Sequence, residues 1–338
     1  MTTFLRAASP CARRFSPASG FLHQLTALCG GMLLAGAALA ADKPISLMVG
    51  YSAGGSADLV ARVVGTEMGK RLGRQVIVEN VAGASGMIAA QKVLGAAADG
   101  NAIYMGGTDT VVVPMVNPKA KIDWQKDLAP IGRMTTVPMI FAVPAGSPHA
   151  TLSDLVGSLR KDGKETFNYA TPGIGTMQHL YGALINKQAK VSMLHVPYRG
   201  GAQIANDLVG RQIDSAMLVL STAMPFLTDG KIKALSVSDT VRVPQLPHVK
   251  RIGEEEGFSG VALPLWQALF VKAGTPATTV AAYEKAMLEA LAQPEVRAKL
   301  QDSGVSVAPM NGRDLQTFVR SQAMLYRDIV TTGKITME

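Results

Sequence analysis

Residues 44–72 read Pro-Ile-Ser-Leu-Met-Val-Gly-Tyr-Ser-Ala-Gly-Gly-Ser-Ala-Asp-Leu-Val-Ala-Arg-Val-Val-Gly-Thr-Glu-Met-Gly-Lys-Arg-Leu. The apolar run 45–49 predicts a short strand, the Gly-rich stretch 50–55 a tight corner, and the periodicity of 56–72 an amphipathic helix. A corner of that kind aims free backbone N–H groups and the positive end of a helix dipole at one point. An anion can sit there without any cationic side chain.

The residues before this stretch bear on where it works. Residues 1–40 carry Arg6, Arg13 and Arg14 and no acid, then a run of Leu, Ala, Gly and Met that closes on Ala38-Leu39-Ala40. A basic start, an apolar stretch and a small-x-small ending have the form of a secretory signal peptide, with cleavage expected near Ala40 and Ala41 as the first mature residue. The apolar run 25–41 falls just short of the roughly 18–20 residues a membrane span requires, so export with cleavage is the reading preferred over an uncleaved anchor. Both cysteines, Cys11 and Cys29, lie in the segment to be removed. The mature chain is therefore expected to have no disulfide, no Cys-ligated metal and an ordinary apolar core.

The formal net charge of +8 falls with the loss of three arginines and is spread over the chain without a Lys/Arg block. Few aromatics and no basic stripe argue against nucleic acid, and a mild positive field suits an acidic small molecule. The four mature histidines, His149, His179, His195 and His248, lie singly, without metal spacing, and no metal or cofactor is expected.

Short apolar strands alternate with helical periodicity along the rest of the chain, which is the pattern of an α/β protein. Gly/Pro turns after apolar strands, at residues 143–148 and 272–276, read as places where the chain passes between lobes. The expected organisation is residues 42–143 plus 265–338 in one lobe and 144–264 in the other, with a cleft between them. A second glycine corner, Thr171-Pro172-Gly173-Ile174-Gly175-Thr176, opens a helix in the second lobe. Two helix N-termini facing across a cleft would clamp a diacid from both ends.

The motifs then accumulate: Ala53-Gly54-Gly55-Ser56-Ala57-Asp58, Arg71-Leu72-Gly73-Arg74-Gln75-Val76-Ile77-Val78-Glu79-Asn80, Gly83-Ala84-Ser85-Gly86, Ala98-Asp99-Gly100, and Asp127-Leu128-Ala129-Pro130-Ile131. Asn168-Tyr169-Ala170-Thr171-Pro172-Gly173-Ile174-Gly175-Thr176 follows, then His195-Val196-Pro197-Tyr198-Arg199-Gly200 and Ala273-Gly274-Thr275-Pro276. In this order, over essentially the whole mature chain, they resemble the Bug proteins, the extracytoplasmic solute receptors of tripartite tricarboxylate transporters. The resemblance implies a two-lobed periplasmic binding protein fold, type II-like. It also implies a small carboxylated solute, membrane permease subunits as partners and, as expected here, a monomer.

Expected ligand contacts are Ala53, Gly54, Gly55, Ser56 and Asp58 in the first corner, and Thr171, Gly175 and Thr176 in the second. Asp58, in the first turn of its helix, reads more readily as a dipole partner or cap than as a contact. Thr108, Asp109 and Thr110 read equally well as a cleft-lining loop or a plain turn, and Tyr198 reads chiefly as packing. The chain departs from the family pattern in two places. Many members carry Asp-Asn where Leu218-Val219 stands here, and an Asn before a Pro where Val111-Val112-Val113-Pro114 runs here. Both changes remove polar groups, so the pocket is expected to prefer a dicarboxylate or an aromatic or aliphatic carboxylate over an amino acid, with Leu218 facing the solute.

One enzyme reading competes. Gly50-Tyr51-Ser52-Ala53-Gly54 matches the nucleophile elbow Gly-x-Ser-x-Gly between a strand and a helix, which would make a secreted serine hydrolase using Ser52. In an α/β-hydrolase several strands precede the elbow, and here only a few mature residues do. A binding protein, not an enzyme, is the reading adopted.

Overall fold

In the computed structural model the described residues are 43–117, 119–162, 167–239, 242–259, 261 and 265–333. The expected signal peptide lies outside them. Residues Lys43–Glu338 form one compact unit that contains two mixed sheets.

The first sheet has the order β11-β4-β10-β3-β1-β2. It is built from β1 (Ile45–Val49), β2 (Val76–Asn80), β3 (Ala102–Gly107), β4 (Leu128–Val137), β10 (Leu265–Lys272) and β11 (Ser306–Asn311). β1, β2 and β3 run parallel, while β10 is antiparallel to both β3 and β4. The second sheet, ordered β7-β6-β8-β5-β9, comprises β5 (Met139–Pro144), β6 (Asn168–Thr171), β7 (Leu194–Pro197), β8 (Ser215–Val219) and β9 (Ile232–Val237). β6 is parallel to β7 and β8, and β5 is antiparallel to β8 and β9.

The chain first changes sheet at Pro138, between β4 and β5. The expected lobe boundary at 143/144 therefore gives way: β5 pairs only within the second sheet, and the 143–148 turn follows it on that side. The turn at 272–276 likewise stays with the first sheet, joining β10 to the helix Ala277–Ala292. The second change of sheet lies between β9 and β10.

These antiparallel and parallel senses put the carboxyl ends of β1, β3 and β4, and the start of β10, on one edge of the first sheet. The carboxyl ends of β6, β8 and β9 and the start of β5 share an edge of the second. In open α/β sheets ligands bind outside the carboxyl ends of strands, where helices begin and leave N–H groups unspent.

The buried apolar residues form two clusters. One spans the first sheet, its helices and the face of the second sheet that carries Met139, Phe141 and Met217. The other fills the opposite face of the second sheet, with Ile140, Ala142, Leu218, Ile204 and Leu208. The long helix Gly312–Gly333 packs on β4 and on the helices Thr108–Val116 and Met177–Ala189, so it touches elements of both sheets. Trp266, buried at the start of β10, donates from its indole N–H to Tyr326 of that helix at 3.1 Å. Among the described residues no helix is long and apolar enough to cross a membrane.

Candidate functional site

The facing strand ends enclose a cavity of about 90 Å³. At roughly 10–15 Å³ for each water-sized group, it has room for about six to nine non-hydrogen atoms, the size of a small organic acid. Its walls come from both sheets. Tyr51, Gly55, Ser56, Ala57, residues 104–110 and 265–267 belong to the first; Pro172, Gln178, Gly201, residues 217–219 and Thr222 to the second. No Lys, Arg or His is among them, and among the described residues no cluster of three or more metal-ligating side chains occurs.

The first corner follows β1. Gly54 takes a positive φ of 82°, a conformation that costs glycine least. Its N–H is spent inside the protein, donating to Asp58 at 3.0 Å. Asp58 also pairs with Arg62 at 2.8 Å. Burial works against its charged form, yet the bonds from Arg62 and the Gly54 N–H hold its pKa below the usual range. Asp58, in the first turn of its helix, thus ties down the corner, and it lines an outer groove with Gly54 instead of the cavity. The Ser56 N–H donates to Thr222 Oγ1 at 3.2 Å, a bond from one sheet's helix to the other's. The N–H groups of Gly55 and Ala57 have no partner among the described residues, and both residues line the cavity.

A second helix N-terminus lies beside it. The segment 108–110, read from sequence as loop or turn, opens the helix Thr108–Val116 directly after β3. Its entry is fixed by close approach, since a Cβ on Gly107 would sit 2.3 Å from the Trp266 carbonyl. The Gly107 N–H donates to Thr110 Oγ1 at 3.0 Å, and the Trp266 N–H donates to Thr108 Oγ1 at 3.1 Å. The Thr108 and Asp109 N–H groups are without partners among the described residues. Two helix N-termini of the first sheet therefore converge on the cavity, and Gln178, Gly201 and Thr222, in the first turns of the helices Met177–Ala189, Gly201–Val209 and Leu220–Thr228, line it from the second.

The corner expected to oppose them is already filled. Asp109 reaches across, and its Oδ1 accepts the Met177 N–H, at the start of the helix Met177–Ala189, at 2.8 Å. Its Oδ2 accepts the Tyr51 hydroxyl. Burial pushes the Asp109 carboxyl up, against the pull of these two bonds, and burial together with the Asp109 charge raises the Tyr51 phenol. Other donors of this corner are spent locally, while the Gln178 N–H has no partner among the described residues. Thr171 Oγ1 contacts His195 Nε2 at 2.7 Å, Thr176 Oγ1 donates to the Gly173 carbonyl at 2.8 Å, and the Gly175 N–H donates to His179 Nδ1 at 3.0 Å. His179 and His195 stack with ring centres 3.9 Å apart, and burial lowers them to about 4 and about 3. Ser85 closes the corner from the first sheet's side, donating to the Ile174 carbonyl at 2.5 Å.

Of the contacts expected from sequence, Gly55, Ser56, Thr108 and Leu218 line the cavity, whereas Ala53, Gly54, Asp58, Thr171, Gly175 and Thr176 do not. Leu218 does so from a side chain that packs with Ile140 and Ile204. Successive strand residues face opposite sides, so Met217 and Val219, packed in the other cluster, share the face that Leu218 leaves. Val111, Val112 and Val113 are helix residues in the core, which removes that departure from any role in the pocket. Tyr198 donates to Asp207 at 2.6 Å and does not line the cavity. Among the described residues Ser52 Oγ bonds only the Arg199 carbonyl, at 3.3 Å, and neither histidine of the stacked pair is bonded to it.

Sequence reasoning missed Tyr104, Gln178, Thr222, Trp266 and Gln267. The Gly106-Gly107-Thr108 signal after β3 could have located the first, since it repeats the strand–glycine–helix plan of residues 45–56. Gln178 and Thr222 carry no such signal.

The comparisons with known proteins agree with this geometry. The model of the tripartite tricarboxylate transporter family receptor matches residues 60–333. A UPF0065 protein from the tcbD-tcbE intergenic region of Pseudomonas sp. strain P51 is 33% identical over 87% of both chains. The solved periplasmic binding protein BugD superposes with a TM-score of 0.83 at 29% identity, over 88% of this chain and 99% of that one. MatC from Rhodopseudomonas palustris, solved with bound malate, superposes with a TM-score of 0.79 at 30% identity, over 85% and 98%. The fold is that of a two-lobed periplasmic binding protein, and the chain belongs to the Bug family of tripartite tricarboxylate transporter receptors.

Proposed function

We propose that this protein captures a small carboxylated compound, a dicarboxylate or an aromatic or aliphatic carboxylate, and presents it to the permease subunits of a tripartite tricarboxylate transporter. The observation that carries this is the pair of helix N-termini at Gly55–Ala57 and Thr108–Asp109. Their unspent N–H groups belong to residues that line one cavity, and among the described residues no cationic side chain lines it. Such a site holds a carboxylate by oriented dipoles and releases it when the lobes part. Met105, Met217, Val219, Leu265 and Trp266 in the walls suit an apolar body. The malate bound by MatC has the same chemistry.

In this reading the chain is exported, loses residues 1–40 near Ala40 and works in the periplasm as a monomeric, non-catalytic receptor. The strands 45–137 with 265–311 frame one lobe and 139–237 the other.

A thermal-shift screen of the mature protein against carboxylates tests it. At 100 times Kd a ligand of the folded state adds about 2.7 kcal/mol, or roughly 5–10 °C of Tm at this size. An absence of any shift with mono- and dicarboxylates of three to eight carbons would sink the proposal. Labelling of Ser52 by a fluorophosphonate would favour the hydrolase instead.

A further inference from the structure

Resting on the carboxylate reading above, the geometry points to Gln178 as the residue that selects the solute: we infer that its amide pairs with a neutral polar group, a hydroxyl or a carbonyl, on the end away from the carboxylate.

Gln178 is only 5% exposed and lines the cavity from the second sheet's side. Its Oε1 is shut off from solvent, on the cavity side as well, and has no hydrogen-bond partner among the described residues, so rotation of the amide is what brings it to a solute. Its neighbours in the wall are satisfied. Thr222 accepts from Ser56, Thr108 accepts from Trp266, and Gln267 joins Thr135 and Ser56 at 2.8 and 3.3 Å. A buried amide left unpaired is unfavourable, so its retention in a ligand cavity marks a partner that arrives with the solute.

The chemistry of that partner follows from the charges nearby. Asp109 bonds the N–H of Met177, the residue next to Gln178, and no cation lines the cavity. A second carboxylate brought there would meet the Asp109 carboxylate, with only the Gln178 side-chain amide and its backbone N–H to offset it. A hydroxyl can donate to Oε1 and a carbonyl can accept from Nε2, because the amide can present either atom. The class selected is a hydroxy- or oxo-monocarboxylate. A site built to hydrogen-bond such a group also rejects the analogue that lacks it, because the amide is then left unpaired.

The test is calorimetry on the mature protein with butyrate, 4-hydroxybutyrate, 4-oxopentanoate, succinate, hexanoate, 6-hydroxyhexanoate and adipate. The wild type is expected to bind the hydroxy acid of matching length at least tenfold more tightly than both its unsubstituted and its dicarboxylate counterparts. Gln178→Leu should reduce the hydroxy-to-alkyl ratio to below threefold. Gln178→Met, which keeps the length of the side chain but loses both the amide donor and the amide acceptor, should keep alkyl-acid binding and lose the preference for 4-hydroxybutyrate and 4-oxopentanoate alike. This second variant supports or refutes the assignment even where the leucine variant fails to fold. A dicarboxylate bound best by the wild type, or an unchanged ranking in either variant, overturns the role of Gln178 and leaves the carboxylate receptor standing. If the wild type binds none of the seven, both proposals fall.

Discussion

The corner at residues 52–57 and the corner at 171–177 each follow the carboxyl end of a strand, bend through glycine and open a long helix, yet the first leaves two cavity-lining residues, Gly55 and Ala57, with unspent N–H groups and the second only Gln178. At the first corner Asp58 takes the Gly54 N–H and Thr222 the Ser56 N–H, while Gly55 and Ala57 stay unspent. At the second, Asp109 supplies from the other sheet the carboxylate that a ligand would have brought, Thr171 takes the Gly173 N–H, Thr176 the His179 N–H and His179 the Gly175 N–H, and the Gln178 N–H is left. A helix N-terminus is an anion site only where the protein has not provided its own anion. Where it has, the N-terminus becomes a joint between lobes. The strand–glycine–helix plan specifies the geometry of both corners, and the fate of the N–H groups depends on residues far away in sequence.

The largest expected effect comes from emptying the second corner. Asp109→Ala leaves the Met177 N–H without its partner and the Tyr51 hydroxyl with the Ser85 carbonyl at 3.4 Å, at a cost on the order of 3 kcal/mol shared between stability and closure. Solute affinity is expected to fall with it, although Met177 itself lines no part of the cavity. Because the vacated N-terminus should then accept an external anion, acetate at high concentration is expected to restore part of the lost Tm in the variant and not in the wild type. Equal acetate responses in the two proteins would mean that Asp109 does not act as the resident anion.

Gly55→Val probes the first corner and should do the opposite, altering binding and sparing stability. Gly55 has an extended backbone with φ of −87°, and a Cβ there meets nothing nearer than the Ser52 carbonyl at 3.7 Å. A branched side chain beside the unspent N–H groups displaces the carboxylate. A fall of about 100-fold in affinity is expected, roughly 2.7 kcal/mol, with Tm of the unliganded protein within a few degrees of wild type. Calorimetry returning an unchanged Kd would move the anion to the Thr108–Asp109 terminus alone.

The fold was largely legible in the sequence, and the places where it was not have physical causes. The segment 108–116, Thr-Asp-Thr-Val-Val-Val-Pro-Met-Val, carries a β-branched run and a proline, and local preference argues against a helix. Burial of Val111, Val112 and Val113 in the core overrides it. β4 contains Pro130, Gly132 and Arg133, and its pairing with β10 shifts register twice, so no clean alternation marks it. β11 is an edge strand with a proline at 309. At the site, the Gly55–Ser56 contacts were readable because glycine followed by a helix start is a local signal. Asp109 as the plug of the second corner, and Gln178 as an unpaired amide, are visible only once β3 and the 177–189 helix are brought face to face.

The smallest expected effect is the pH response of the second corner, which sets in at a higher pH than that of the lowered Asp58 carboxyl at the first. His179 and His195 are held neutral, lowered by burial to about 4 and about 3 from an ordinary value near 6.5. The unfolded chain takes up their protons as pH falls below about 6.5, whereas the folded chain resists until pH 4 to 3. Over that window the unfolded state binds more protons, so stability is complete above pH 6.5 and declines as pH drops toward 3. Protonation would also turn His179 Nδ1 from the acceptor of the Gly175 N–H into a donor facing it. The double variant His179→Asn, His195→Gln offers an uncharged acceptor at each place and should show a shallower fall in Tm between pH 6.5 and 4 than the wild type, while the two converge at pH 7.5. Parallel curves would mean that the stacked histidines carry no pH sensitivity and that the carboxylates elsewhere account for all of it.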